Sequence, residues 1–205
     1  MSTATLPLSV PEAAHRRRSI RAYTPDPVPQ AELDAILREV SLAPSAFNLQ
    51  PWRFVIVKDE ETKRALAGVA YNQRQVTAAP AVIVLYTDMA DTLANLHEVA
   101  RPGTTPEQVE GFRKMVEGSF ASQGPAEREA WGYAQGFIAL GYLELVAEAH
   151  GFATSPMGGF DPEGVKQLLG LPATSRVPAL VAIGRGAEDG VPHHRHALER
   201  IVRVV

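Results

Sequence analysis

The long apolar stretch that follows Gly124-Pro125 constrains this chain more than any other feature. Glycines at 132, 136 and 141 lie within it, and each costs a helix about 1 kcal/mol relative to alanine. Small residues in a long apolar helix usually indicate that another backbone comes close. We therefore expect a central helix running to about His150, and a candidate subunit interface. Its apolar stripe consists of Trp131, Ala134, Ile138, Tyr142 and Leu145.

Helical and strand patterns alternate through the rest of the chain, without an internal repeat or a linker. Ser9 with Glu12 forms a capping-box pattern, and Pro44 stops a second helix. We predict strands at 52–57, 80–86, 152–155 and 177–184, and helices at 9–17, from 30 toward Pro44, and at 60–69, 71–78, 89–97, 106–120 and 162–169. The run 201–205 has strand propensity but no obvious place within a monomer. We expect one domain spanning residues 1–205.

Composition excludes several classes of function. The absence of cysteine excludes disulfides, thiolate metal sites, iron–sulfur clusters and a cysteine nucleophile. The net charge of −3 argues against bulk attraction to nucleic acid or to an anionic membrane. The longest apolar runs are too short to span a bilayer, and residues 1–10 lack a signal-peptide pattern. We expect a cytoplasmic protein without a metal, since residues 193–196 place no convincing carboxylate or fourth ligand.

Two polar stretches carry the functional signal. Residues 16–21 hold four arginines and Ser19, and arginine forks match phosphate oxygens. Because the chain as a whole is acidic, this cluster indicates a small anionic ligand, although a solvated basic face would look the same. The second stretch, residues 43–52, is a turn-rich loop of amide and hydroxyl groups that leads into an apolar strand. The alternative is an ordinary proline-terminated helix and a polar turn.

Together the two stretches resemble the N-terminal signature of the FMN-dependent nitroreductase family, and the likeness extends from about Pro11 to Val202. The matching residues are Arg17, Arg18, Ser19 and Arg21, then Tyr23, Pro27 and Val28, then Ala43 to Trp52 with its Gln-Pro-Trp. The resemblance implies an α+β, three-layer fold with a mixed, mainly antiparallel central sheet flanked by helices. It also implies an intertwined homodimer with two FMN sites at the interface, in which residues 193–205 form an arm exchanged between subunits.

The resemblance also assigns the residues of the FMN site. Arg17 and Ser19 would hold the phosphate and ribityl chain, with Arg18 beside them. The other basic positions are Arg21 near the N1–O2 edge of the flavin, Arg195 completing the phosphate clamp, and His193 where a lysine is common. The loop residues that would cover the flavin of the partner subunit are Pro44, Ser45, Ala46 and Asn48.

The remaining assignments concern the flavin ring. Asn72 and Gln75 match positions at the pyrimidine edge, although an exposed helical asparagine usually has no role. Gln135 matches a position that reaches the flavin across the dimer, or else makes a helix–helix contact. The loop Pro156, Met157, Gly158 and Gly159 would pass beside the ring and offer a backbone N–H to N5, or be an ordinary turn. Phe47, Phe112 and Phe120 are either pocket walls or core.

The implied activity is that of an FMN oxidoreductase. NAD(P)H would reduce the flavin by hydride transfer and leave, and a nitroaromatic, quinone or activated enone would then take the electrons. We name no catalytic acid or base. The sequence lacks a G-x-G-x-x-G fingerprint, which fits transient stacking of the nicotinamide on the flavin. The alternatives are a dehalogenating, flavin-fragmenting or azoline-oxidising relative, a flavin-binding sensor without turnover, and a structural dimer that merely binds anions.

Overall fold

The computed structural model describes residues 8–205, so most of the segment used to argue against a signal peptide lies outside it. Its helices are α1 (Val10–Arg16), α2 (Gln30–Val40), α3 (Glu60–Val69), α4 (Arg74–Ala78), α5 (Met89–Ala94), α6 (Pro106–Phe120), α7 (Pro125–Ala149), α8 (Pro162–Leu169) and α9 (Leu198–Ile201). Its strands are β1 (Trp52–Val57), β2 (Ala81–Thr87), β3 (Ala153–Met157) and β4 (Arg176–Gly184). Single 3₁₀ turns occupy Ala46–Asn48 and Leu96–Val99.

The strands pair in the order β1-β2-β4-β3, and all three ladders are antiparallel. Ser19 adds a parallel bridge to Thr154 at the outer edge of β3. The two central strands are buried almost throughout. This agrees with the prediction of buried strands from their apolar runs. The predicted α+β fold with a mainly antiparallel sheet between helices is confirmed.

Alternate residues of β2 separate the two faces of the sheet, as the two-residue period of a strand requires. Ile83 and Leu85 pack with α2 and α7 on one face, whereas Val82 and Val84 pack with α3, α4 and α8 on the other. A third, smaller core lies away from the sheet, where α5 and α6 meet. It consists of Leu49, Met89, Leu96, Val116 and Phe120.

Helix α7 is the central helix that its sequence predicts, but a different face is buried. A methyl group built on Gly132 would lie 2.5 Å from Met89 Cγ, and one built on Gly136 would lie 2.7 Å from Pro178 Cγ. The close neighbour inferred from these glycines is thus the same chain. Because the glycine face meets the sheet, the apolar stripe turns outward, and Ile138 and Tyr142 are 38% and 39% exposed.

One helix prediction is wrong at its beginning. The helix expected from residue 71 begins at Arg74, because Tyr71 and Asn72 both have φ of 54° and form a left-handed turn instead. In the terminal run, Ile201 ends the short helix α9 and Val202–Val205 is exposed without a strand partner in residues 8–205, so its expected pairing with a second subunit stays a prediction. Among the described residues, no helix is long and apolar enough to cross a membrane.

Candidate functional site

The arginine-rich segment is held along the edge of the sheet. Helix α1 ends at Arg16, and Arg17 already has an extended conformation, with φ of −47° and ψ of 128°. Ser19 bridges Thr154 of β3, and the Ile20 N–H donates to the Thr154 carbonyl at 2.9 Å. The segment therefore has a fixed position beside β3, the strand that leads to residues 156–159, called the glycine loop below. A specific anion site requires such a fixed position.

Arg17 has a buried acidic partner that sequence reasoning missed. Its Nη1 lies 3.2 Å from Glu144 Oε2 on α7. Burial raises the pKa of Glu144, and the charge of Arg17 acts in the opposite direction. Glu144 Oε1 and the neighbouring Thr154 hydroxyl are both buried without a hydrogen-bond partner in the described chain. An acidic residue on the flank of an apolar helix was the available signal, since buried carboxylates are rarely left unpaired.

Arg18 turns back toward the end of α1. Its Nη1 donates to the carbonyl oxygens of His15 at 2.7 Å and Arg17 at 2.9 Å, and it lies 2.9 Å from His193 Nδ1. Desolvation, followed by the charge of Arg18, lowers the pKa of His193. The structure thus brings Arg17, Arg18 and His193 together. The neutral imidazole accepts a hydrogen bond from Arg18 at Nδ1.

The other two predicted basic residues have different surroundings. Arg21 is exposed, and its backbone N–H donates to Glu188 Oε1 at 2.7 Å. Arg195 is exposed as well, and its Nη1 donates to the carbonyl of His194 at 2.8 Å. After desolvation and the charge of Arg18, the charge of Arg195 also lowers the pKa of His193, which places Arg195 near the Arg18–His193 pair. Its place in a phosphate clamp remains a prediction.

The glycine loop meets the left-handed turn at residues 71–73. Gln73, which sequence reasoning passed over, donates from Nε2 to the Gly159 carbonyl at 2.6 Å. Asn72 is exposed beside it, while Gln75 is buried and donates to Gln73 Oε1 at 3.2 Å. Asn72 thus stays available for a ligand, whereas the Gln75 amide is engaged in supporting Gln73.

Within the glycine loop, backbone and side chains have different environments. The Met157 side chain is buried in the core, so this residue can offer a ligand only its backbone. Pro156 is half-buried, and Gly158 and Gly159 are exposed. A methyl group built on Gly158 would meet nothing within 4 Å, and the Gly158 N–H has no acceptor among the residues described. An aromatic ring could therefore lie beside Gly158 and accept a hydrogen bond from its N–H at the ring edge.

The loop of residues 44–48 forms a second unit with α7. The Ala46 N–H donates to Gln135 Oε1 at 3.1 Å, and Ser45 Oγ accepts from the Gln50 N–H at 2.9 Å. Phe47 and Asn48 have φ of 55° and 57°. Positive φ is strained for a phenylalanine, and such strain is concentrated at functional sites. Pro44 and Asn48 are exposed, so the loop presents its polar groups outward.

The three phenylalanines divide between pocket and core. Phe47 and Phe112 line a cavity of about 760 Å³ between the loop and α6. Phe120 is buried, and its ring centroid lies 6.5 Å from Phe47 and 5.1 Å from Trp131. Phe120 is therefore the core residue that supports the pocket wall.

This fold, with an arginine–serine segment at one end of an edge strand and an open glycine loop at the other, is that of the nitroreductase family. The family model matches residues 14–185, and the chain belongs to this family. A Thermus thermophilus protein named NADH dehydrogenase is 51% identical over 200 residues, which cover 97% of this chain and 98% of that protein. A Bacillus subtilis protein with the provisional name NAD(P)H nitroreductase YdgI is 36% identical, over 90% of this chain and 92% of its own. A protein from Exiguobacterium sibiricum, solved in complex with FMN, superposes with a TM-score of 0.88 at 29% identity, covering 99% of this chain and 100% of that one.

Proposed function

We propose that this protein is an FMN-dependent oxidoreductase that takes a hydride from NAD(P)H and passes electrons to a nitroaromatic, quinone or related electrophile. The observation that carries the proposal is the alignment along β3. Ser19 bridges Thr154 at one end, and Gly158 follows the other end four residues later. At about 3.3 Å per residue, these positions are about 13 Å apart. That separation gives an elongated cofactor one end for its phosphate and another for its ring.

The residues present fit such a cofactor. Arg17 offers a guanidinium fork already oriented by Glu144, and Arg18 adds a second positive charge beside it. The Gly158 N–H is exposed and unused, and no side chain in the described part of the chain fills the space beside it. Bound FMN would supply the hydride chemistry itself. The protein would hold the phosphate, orient the ring and donate a backbone hydrogen bond to its edge.

The FMN-bound structure from Exiguobacterium sibiricum, together with the names of the two relatives, supports this assignment. These names combine a nicotinamide donor with electron transfer. Nitro and quinone compounds are proposed as acceptors because both take electrons from reduced flavin, and water can supply the protons that they take up with those electrons.

We further propose that the active form is a homodimer. Gln135 and Glu144 lie nine residues apart on α7, which is two and a half turns, so they project from opposite flanks of the helix. The loop braced by Gln135 is therefore separated by α7 from the arginines beside Glu144. A second copy can bring its own loop to the arginine side. One ligand could then contact both groups, as the resemblance to the family implies.

Exposed apolar surface supports the same arrangement. Phe137, Ile138 and Tyr142 on α7 are at least 38% exposed, and Gly141 among them has no neighbour within 4 Å of a built methyl group. In the C-terminal segment, Leu198, Ile201, Val202, Val204 and Val205 are all more than half exposed. Contiguous apolar surface of this kind marks protein interfaces. Residues 193–205 remain our predicted exchanged arm.

An absorbance spectrum of the purified protein, followed by anaerobic addition of NADH or NADPH, tests the proposal. Flavin bands that bleach on addition, and recover when menadione or a nitroaromatic is supplied, are expected. A yellow protein that neither nucleotide reduces would contradict the reductase assignment and indicate a flavin-binding sensor. A colourless protein that fails to bind added FMN would overturn the cofactor assignment as well.

A further inference from the structure

The cavity beside the 44–48 loop has a composition that selects among electron acceptors. It measures about 760 Å³, which is within the range of small-molecule sites. Its walls come from three segments: the loop, the connector after Leu96–Val99, and α6. Phe47, Phe112 and Met115 give it an apolar lining that suits a planar body. Its small polar groups are Ser45, Asn48 and Thr104.

Arg101 is the charged residue that lines this cavity. Within residues 8–205 its guanidinium has neither an acidic partner within 4.0 Å nor a side-chain hydrogen bond. On α6, Glu110 and Glu117 both pair with Arg113, and within residues 8–205 neither Glu98 nor Glu107 lies within 4.0 Å of a basic group. Among the described residues that line the cavity, no carboxylate is present to neutralise Arg101. An arginine fork with all its donors unused favours an anionic oxygen group.

The backbone that carries Arg101 is fixed, although the side chain is exposed. The N–H of Thr104 and its hydroxyl both donate to the Arg101 carbonyl, at 3.1 and 2.6 Å. Gly103 completes the turn with φ of 83°. On the opposite wall, Phe47 is held by its edge-on contact with Phe120. The Arg101 backbone and the aromatic wall therefore keep a set spacing, and the free guanidinium can adjust to a ligand that carries both a planar body and an anion.

We infer that this cavity binds a reactant in which a planar body is joined to an anionic group, and that Arg101 is the residue that recognises the anion. The inference rests on the proposed function and deepens it. The anion has two possible sources with one chemistry: a carboxylate on the electron acceptor, or a phosphate of the nicotinamide donor. In either case Arg101 is a specificity residue and takes no part in the electron transfer.

The test compares Arg101→Gln with Arg113→Gln, a control that removes the same charge from α6 without lining the cavity. Two acceptors of similar size, 4-nitrobenzoate and 4-nitrobenzyl alcohol, differ in the anionic group. For Arg101→Gln, the KM for 4-nitrobenzoate should rise about tenfold, the loss of one charged hydrogen bond, while the KM for the alcohol stays within about twofold. Arg113→Gln should leave both unchanged.

The donor is titrated in parallel. A rise of the same size in the KM for NADH or NADPH, with both acceptors unaffected, would assign the anion to the donor phosphate. If neither the acceptor comparison nor the donor titration distinguishes Arg101→Gln from Arg113→Gln, the inference is wrong.

Binding is measured separately by titrating 4-nitrobenzoate and NADP⁺, which carries the phosphates of the donor but no hydride, into the oxidised holoprotein. Intrinsic tryptophan fluorescence reports the binding, because Trp131, one of the two tryptophans, contacts Phe120 behind the cavity wall. Arg101→Gln should weaken binding of one of these anions about tenfold. This readout needs no turnover. Anion binding that depends on Arg101 in a protein that does not oxidise NAD(P)H would refute the proposed function and leave the site intact.

Discussion

Replacing Gly136 with alanine tests how closely α7 lies against the sheet. The added methyl group would sit 2.7 Å from Pro178 Cγ and 3.0 Å from Thr87 Cγ2, whereas carbon atoms in contact lie about 3.5–4.0 Å apart. Pro178 belongs to β4, and its ring cannot rotate away. The helix cannot retreat locally, because Ala139 and Leu143 in the following turns are fully buried against the same sheet.

The magnitude follows from two opposing effects. Alanine improves a helix interior by about 1 kcal/mol relative to glycine. Overpacking of a well-filled core costs about 1–3 kcal/mol, and the rigid neighbours at Gly136 place this site at the upper end. We therefore expect a net destabilisation of about 2 kcal/mol. For a chain of 205 residues this corresponds to a fall in Tm of about 4–8 °C.

Differential scanning calorimetry at one fixed protein concentration measures this change, because the stability of an oligomer depends on concentration. Gly111→Ala is the matched control. Gly111 is also inside a helix, α6, but it is exposed and has no atom within 4 Å of a built methyl group. This control should raise Tm by about 2–4 °C. If Gly136→Ala raises Tm by the same amount, the close approach described here does not exist.

Three further predictions address the site and its assembly. Because burial raises the pKa of Glu144 above its usual 4.5, the contribution of Glu144 to stability falls as pH rises from 4.5 through its folded-state pKa. The Tm of Glu144→Gln should therefore rise relative to that of the native protein over this range, and a constant difference would contradict the assignment. Asn72→Gly keeps the positive φ but removes the amide, so the Kd for FMN, followed by flavin fluorescence, should rise about fivefold, whereas an unchanged Kd would exclude a side-chain role. Tyr142→Glu should shift the protein toward monomer in light scattering, whereas Leu168→Glu, similarly exposed on α8, should not. If the Tyr142→Glu variant stays dimeric, α7 is not part of the interface.

The elements that sequence predicted well are those in which local signals agree. The bounds of α6 and α8 match their predictions, since each begins at a proline behind a capping side chain. The left-handed turn at Tyr71 and Asn72 was missed because neither residue is a glycine, and the conformation is set by a backbone hydrogen bond from Asn72 to Ala67. For α7, periodicity identified the helix and its glycines indicated a close neighbour, but the sequence could not show that Gly132 and Gly136 face the same chain, because that neighbour, Met89 or Pro178, comes from distant positions.

In the candidate site, too, local sequence patterns predicted some features and tertiary packing determined others. Motif spacing located Arg17, Ser19 and the glycine loop, which the structure places along one edge strand. It could not locate Glu144, since the pairing of Arg17 with a residue 127 positions away depends on the packing of α1 against α7. Nor could it show that the Gln75 amide is buried.

The third core has a consequence for how this enzyme family can change. Helix α6 and the Arg101 turn rest on the small cluster around Phe120, apart from the two cores that hold the sheet, whereas α5 is tied to α7 because Glu129 accepts from the Met89 and Ala90 N–H groups. Units with few shared contacts open independently, so amide hydrogen exchange should be faster in α6 than in β2 and β4. A region that can unfold alone can also accept substitutions, or even be replaced, without unfolding the scaffold. Selection can then remodel the walls of the cavity beside the 44–48 loop while the two sheet cores are inherited intact.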